Sequence, residues 1–409
     1  MKYPIALLRM LLLLCLAWPA ALHGQSVEQL CLTDYRLDSL RTKELRLEID
    51  NVTFFKDNEF GGSVMKGYSL PGLWLAPKLA YQPLPHLKIE LGAYALWYSG
   101  AYKFPNYAYQ DIAEWKGSQF QRGAHILPHF RGHLQLGDFN LVLGNLYGAS
   151  NHRLILPLYS PELNLTADPE SGFQMLYDTR NFHLDAWINW QSFIFEMDTH
   201  QEAFTVGLST KWQLNRPDAP LHTYLQLQGT LQHRGGEQDD KSQVNTLANA
   251  ALGAGIVWNT PGRLFRTLTL EADALGYYQQ AGTLWPYDSG AAFYGKAELQ
   301  FRRYFHLQAG YFVGRHFISL LGLPYFGSVS TKHEGALFDS HPQTWHFAFD
   351  YTRTFGKHYA FGAKAEAFLA NPGPMTLPDG TLQPTGNNLN FSFGVYLRLN
   401  PSFLLKKIK

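Results

Sequence analysis

The feature that most constrains this chain is a hydrophobic period of two. In LNFSFGVYLRL, residues 389–399, Leu389, Phe391, Phe393, Val395, Leu397 and Leu399 alternate with Asn390, Ser392, Gly394, Tyr396 and Arg398. In TLTLEADAL, Leu268, Leu270, Ala272 and Ala274 alternate with Thr267, Thr269, Glu271 and Asp273. Successive strand side chains point to opposite faces, so each segment reads as a strand with one apolar and one polar face. The same pattern recurs in ELRLEID, HLKIELGAYALWY, NFHLDAWINW, PLHTYLQLQGTLQ, GKAELQF, YFHLQAGYFVG and TWHFAFDYTRTF. The fold class is therefore all-β.

The links between these strands alternate in length. Short ones (QPLPH, LGD, TRN, NTPG, RRY, FGK) take turns with long ones near 55–70, 99–121, 147–171, 232–245, 276–290, 314–342 and 370–387. Short turns on one rim and long loops on the other characterise a transmembrane antiparallel up-and-down β-barrel with periplasmic turns and extracellular loops. Counting this way gives about 16 strands, an even number as bacterial barrels of this kind require. A soluble sandwich or propeller also alternates, with its apolar face turned to a core. Aromatic placement favours the barrel: Trp97, Trp190, Trp212, Trp258, Trp345 and Tyr351 fall on apolar faces near strand ends, as interface girdles do.

The N-terminus supports export. Lys2 and Arg9 precede a leucine-rich core that runs from Met10 to Ala17, and small residues follow, which reads as a signal peptide over 1–24. The organisation that follows is a short periplasmic segment over 25–43, a barrel over 44–400 and a basic tail over 401–409. Loss of the signal leaves Cys31 alone, so no internal disulfide forms. A formal net charge of +1 without basic blocks argues against nucleic acid as a partner. Outer-membrane lipids, small polar solutes and envelope proteins are the partners expected, with the outer membrane as location and no cofactor.

Export signal, alternation and loop asymmetry together resemble outer-membrane barrels of the porin-like kind. The stretches NVTFFKDNEFGG and GNLYGASNHRLILPLY are also similar to a group of uncharacterised Bacteroidota outer-membrane proteins. The resemblance covers most of the mature chain as architecture. It implies a barrel and assigns no activity. The chain departs from the usual pattern at its end, where NPSFLLKKIK follows the last strand in place of a terminal Phe.

Two motifs bear on chemistry. Ser150 and His152 loosely resemble the serine and histidine of barrel phospholipases and lipid A deacylases, but a nucleophilic serine needs a base in reach and a group orienting that base. The small polar residues around Gly148 mark a loop start, so the expectation is no catalytic residue and no enzymatic activity. His125, His129 and His133 recur every four residues on a strand, where four residues span about 13 Å. That is too far for one ion with bonds of about 2.1 Å, so no metal site is expected.

The apolar run after His152 is costly in water and should be covered. Asn151, His152, Arg153, Leu154, Ile155 and Leu156 are therefore candidates for a constriction loop folded into the bore, with packing across the rim as the alternative. Alternation also yields candidate pore-lining residues. The basic ones are Arg46, Lys88, Arg131, Lys296, Lys364 and Arg398; the acidic ones are Glu48, Glu90, Asp185, Glu271, Asp273, Glu298, Asp350 and Glu366. Arg46 with Glu48, Lys88 with Glu90, Lys296 with Glu298 and Lys364 with Glu366 are two apart on one face, bracing either an open bore or a packed interior. The function expected is passive diffusion of small polar solutes through a porin-like channel. A non-conducting barrel that scaffolds an envelope complex is the alternative, and an outer-leaflet lipid hydrolase comes third.

Overall fold

A computed structural model describes residues 27–99, 124–193, 201–236, 243–262, 264–302, 304–333 and 335–409. The expected signal peptide lies outside the described residues. Sixteen antiparallel strands form the wall. They are β1 (Glu44–Glu59), β2 (Tyr68–Leu84), β3 (Leu87–Tyr98), β4 (Ala124–Leu136), β5 (Phe139–Asn145), β6 (Ser171–Asp178), β7 (Phe182–Ser192) and β8 (Ala203–Gln213). The second half comprises β9 (Leu221–Arg234), β10 (Asn245–Asn259), β11 (Phe265–Ala281), β12 (Ser289–Phe301), β13 (Phe305–Arg315), β14 (Gln343–Phe355), β15 (Tyr359–Asn371) and β16 (Asn388–Leu399). Each pairs with the next, and β16 closes on β1 from Asn51↔Leu399 to Glu59↔Phe391, so the wall has no open edge there. Closure pairs the backbone groups that hydrocarbon would leave unsatisfied.

The C-terminal residues do not form a free tail. Pro401, which has no N–H to donate, interrupts the last strand, and β17 (Ser402–Lys407) then runs along Glu44–Glu48 of β1. The 2-residue strands Leu337–Phe338, Met375–Thr376 and Leu382–Gln383 make a small separate sheet among the long loops.

The two faces segregate as the alternation requires. On β16, Phe391 and Phe393 are about half exposed, 52% and 49%, while Asn390 and Ser392 are 0% and 3%. The bare apolar side is the lipid face. Trp97 and Trp345 stand on it toward the long-loop rim, and Trp212 and Trp258 toward the short-turn rim. Tyr351 departs from the expected girdle: Phe305, Phe361 and Tyr304 crowd it and leave it buried. Among the described residues no helix is long and apolar enough to cross a membrane. The closed wall, its bare apolar outer face and the tryptophans at both rims make this an outer-membrane β-barrel.

The bore is filled from both ends. From the long-loop side, the connection 146–170 enters with a 3-10 turn (Ala149–His152) and one helical turn (Leu163–Thr166). A second connection, 316–342, packs beside it: Ser160 N–H donates to Leu321 O at 2.8 Å, and Ser319 Oγ to Pro157 O at 2.6 Å. Leu158, Phe317 and Phe326 are fully buried, each worth about 1.5–3 kcal/mol in apolar burial. Irregular backbone at membrane depth needs partners, and amide side chains on the wall supply them. Gln228 takes Ile155 N–H at 2.9 Å and donates to Arg153 O at 3.0 Å; Asn249 does the same for Leu320 and Ile318.

From the short-turn side comes the N-terminal segment. Residues 27–38 do not hang in the periplasm as a separate segment; they cross the bore as a strap. Val27 and Leu30 bury their side chains against Tyr159, Leu163 and Leu165 of the third long loop, in one cluster with Val52, Phe54 and Trp74 of the wall. The apolar side chains of Val27 and Leu30 explain this: left in the periplasm they would stay wet.

Candidate active site

The candidate site is built on the loop 146–170, which leaves the wall at Asn145 and returns to it at Ser171. Tyr147 is its first anchor. The Arg131 guanidinium lies 4.0 Å over the Tyr147 ring while donating to Asn145 O, Leu146 O and Glu90. His133 Nδ1 meets the Tyr147 hydroxyl at 3.1 Å. Ala149 and Arg153 both adopt left-handed backbone, with φ of 57° and 56°, and this reverses the chain on either side of His152.

His152 is the second anchor and the most enclosed. Its Nδ1 lies 2.8 Å from Asp185, its Nε2 2.9 Å from Glu170, and the side chain is 1% exposed. The ring lies flat on Trp187, and Gly207 makes room for that indole, since a Cβ there would sit 2.0 Å from Trp187 Cζ2. Burial opposes charge on the ring, but the attraction of Glu170 and Asp185 outweighs it and pushes His152 up to about 10. His152 is thus a buried imidazolium with both nitrogens committed to carboxylates. It has no lone pair for Ser150, whose own N–H donates to Asn164 Oδ1 at 2.9 Å. The Ser150–His152 pairing weighed in the sequence is not assembled.

A different histidine has the geometry of a base. His125 Nδ1 meets Asp168 Oδ1 at 2.7 Å, and the two side chains are 21% and 20% exposed. His125 follows Ala124, the register partner of the lipid-facing Trp97, so the pair lies at the depth of the outer aromatic girdle. Asp168 also lines a cavity of about 130 Å³ between loop and wall, with Trp74, Tyr94, Lys78, Asn151 and Glu170 on its sides. A carboxylate that holds one imidazole nitrogen fixes the ring's tautomer and orientation. Cys31 also lines this cavity, but burial pushes its thiol up to about 12, so it is not a thiolate nucleophile.

The remaining candidates fall into three groups. In the constriction set, Asn151, His152 and Ile155 are buried, Leu154 and Leu156 half-buried, and Arg153 exposed. The lumen-side charges form ion pairs: Lys88–Glu90 at 2.8 Å, Lys296–Glu298 at 3.1 Å and Lys364–Glu366 at 3.0 Å hold the expected spacing. Arg46 departs from it, pairing with Glu44 at 2.8 Å while Glu48 takes Lys88 at 2.9 Å, the long lysine side chain reaching from β3 past β2 to β1. Glu271 joins Lys296 at 3.0 Å, Asp273 accepts from Gln226 at 2.6 Å, Asp350 accepts from Val27 N–H at 3.2 Å, and Arg398 grips Asp50 at 2.9 Å. His129 and Arg131 both reach Glu90, and His133 reaches Asn140, so the three-histidine row serves separate partners.

Asp168, Glu170, Glu162 and Trp187 are absent from the sequence-derived site. Glu162 receives Lys56 at 2.8 Å, Asn58 at 3.2 Å and the Tyr68 hydroxyl, which fixes the loop's far side. A usable signal was the acidic pair around Pro169 in ADPE, two carboxylates where the loop returns to the wall.

Comparison with a family profile revises the activity expected from the sequence. The profile of a family described as "Lipid A 3'-O-deacylase-type" matches residues 37–408. That match overturns the expectation of no enzymatic activity. Among solved structures, the chain is similar to the outer membrane protein OprD of Pseudomonas aeruginosa, at 9% identity over 92% of this chain and 99% of that one, with a TM-score of 0.47. It is also similar to a loop L8 deletion mutant of OmpT from Vibrio cholerae (8% identity, 87% and 99% covered, TM-score 0.47) and to OccAB3 of Acinetobacter baumannii (11%, 88% and 99%, TM-score 0.44). No curated protein matches the sequence.

Proposed function

Because this outer-membrane chain belongs to the lipid A 3'-O-deacylase-type family, we propose that it hydrolyses an acyl ester of an outer-leaflet, lipid A-type glycolipid. The observation that carries this reading is the His125–Asp168 pair, a carboxylate-oriented imidazole at the depth of the outer girdle, where the ester bonds of an outer-leaflet lipid lie. Asp168 holds the imidazole by Nδ1 and fixes its orientation. The imidazole takes a proton from water as the oxygen attacks the ester carbonyl and returns it to the departing alkoxide, giving a fatty acid and a free hydroxyl. Constitutive passive diffusion is a poorer reading of this geometry, since loop and strap fill the bore.

The test is fatty-acid release from lipid A in mixed micelles. His125→Ala is expected to lower the rate by about 100- to 10,000-fold, the usual worth of a general base. Ser150→Ala should leave it unchanged. If His152→Gln abolishes release in a correctly folded barrel while His125→Ala does not, the base is misassigned.

A further inference from the structure

We propose that the barrel is also a latent pore for small polar solutes, gated by its own N-terminal strap. Two cavities lie in series along the bore. The one of about 130 Å³ reaches Asp168 on the long-loop side, and one of about 590 Å³ opens among Arg36, Asp38, Lys357 and Ser402 at the periplasmic end. Thr33, Asp50, Lys78 and Tyr147 line both, so the strap at Thr33 stands where the two meet.

The strap is seated as a removable part. Among the described residues it contributes no strand to the wall, and its holds are side-chain contacts at scattered points. Thr33 N–H donates to Asn151 Oδ1 at 3.0 Å, Leu37 N–H to Gln135 Oε1 at 3.3 Å, Glu28 pairs with Lys364, and Arg398 donates to the Leu30 and Leu32 carbonyls. The wall carries a dedicated seat. At Gly362 a Cβ would lie 2.6 Å from Leu30 Cδ1 and 3.2 Å from Val27 Cγ2. Behind the strap the wall carries the apolar Val52, Phe54 and Trp74 and, beside them, Lys364, Glu366, Asp350, Asp50 and Arg398, whose charges water can solvate once the strap leaves. Withdrawal of residues 27–38 toward the periplasm joins the two cavities into one path past Asp50 and Lys78.

The inference does not rest on the hydrolase reading, and its test uses no lipid substrate. Purified full-length protein in a planar bilayer is expected to be silent. Gly362→Leu, which changes the wall and leaves the strap sequence intact, is expected to give discrete conductance steps, as is deletion of residues 27–37. A synthetic peptide of residues 27–38, added on the periplasmic side, should close the steps of the deletion variant. Glu28→Lys, which sets a cation against Lys364, replaces either variant that fails to show the heat-shifted gel band of a folded barrel. Silence of the folded variants, steps of equal frequency in the unaltered protein, or steps indifferent to the peptide would each overturn the gate.

Discussion

His152 and Trp187 stack face to face, ring centroids 3.5 Å apart and 9° from parallel, with Asp185 and Glu170 closing the two edges of the imidazole. Removing the cation from this cage leaves two buried carboxylates facing each other. His152→Ala should therefore cost about 3–5 kcal/mol in the stability of the loop, the usual price of breaking a buried pair. Hydrogen exchange over residues 147–170 reads it, and protection equal to that of the unaltered protein would refute the role.

The same cage predicts a pH dependence. The folded value of His152, about 10, lies above the ordinary 6.5, so its contribution is complete below about pH 6.5 and is lost as pH rises through 10. Burial tends to raise Glu170, but the His152 charge outweighs it and holds the carboxyl below its ordinary 4.5. That contribution is present above 4.5 and lost as pH falls through the depressed value. Loop protection, corrected for intrinsic exchange, should be greatest between about pH 4.5 and 6.5 and decline on both sides. A rise in protection from pH 7 to 10 would contradict the assignment of charge.

Leu158, fully buried where the two loops meet, gives a packing test. Leu158→Ala should loosen the loop by about 2–5 kcal/mol, while the wall, held by its own strand pairing, still assembles. The expected signature is faster tryptic cleavage after the exposed Arg153 with an unchanged heat-shifted band on a gel. Loss of the band would mean that the loop is needed to close the barrel.

The wall was legible in the sequence because its signal is local. Period two fixes which face of each strand meets lipid, as Phe391 against Asn390 shows, and loop lengths fix the rims. The loop's burial was legible too, since a run such as Leu154–Leu156 is unfavourable in water. The site was less so. Asp168 lies 43 positions from His125 and Asp185 lies 33 from His152, so no spacing rule connects them. Ser150 and His152 show the converse: two residues apart in sequence, they are separated in role because the left-handed turn at Arg153 and the carboxylates around the ring commit His152 elsewhere. The strap escaped because its apolar Val27 and Leu30 call for cover without saying which surface supplies it. Only Gly362, placed under Leu30, records the contact, and it does so on a strand far along the chain.

The most direct test of the hydrolase reading is the mass spectrum of lipid A incubated with the purified, folded protein. The account predicts a product lighter by one acyl chain together with an equal amount of free fatty acid, both lost in His125→Ala. Unchanged lipid masses, from protein whose unboiled band shows an intact barrel, would contradict it.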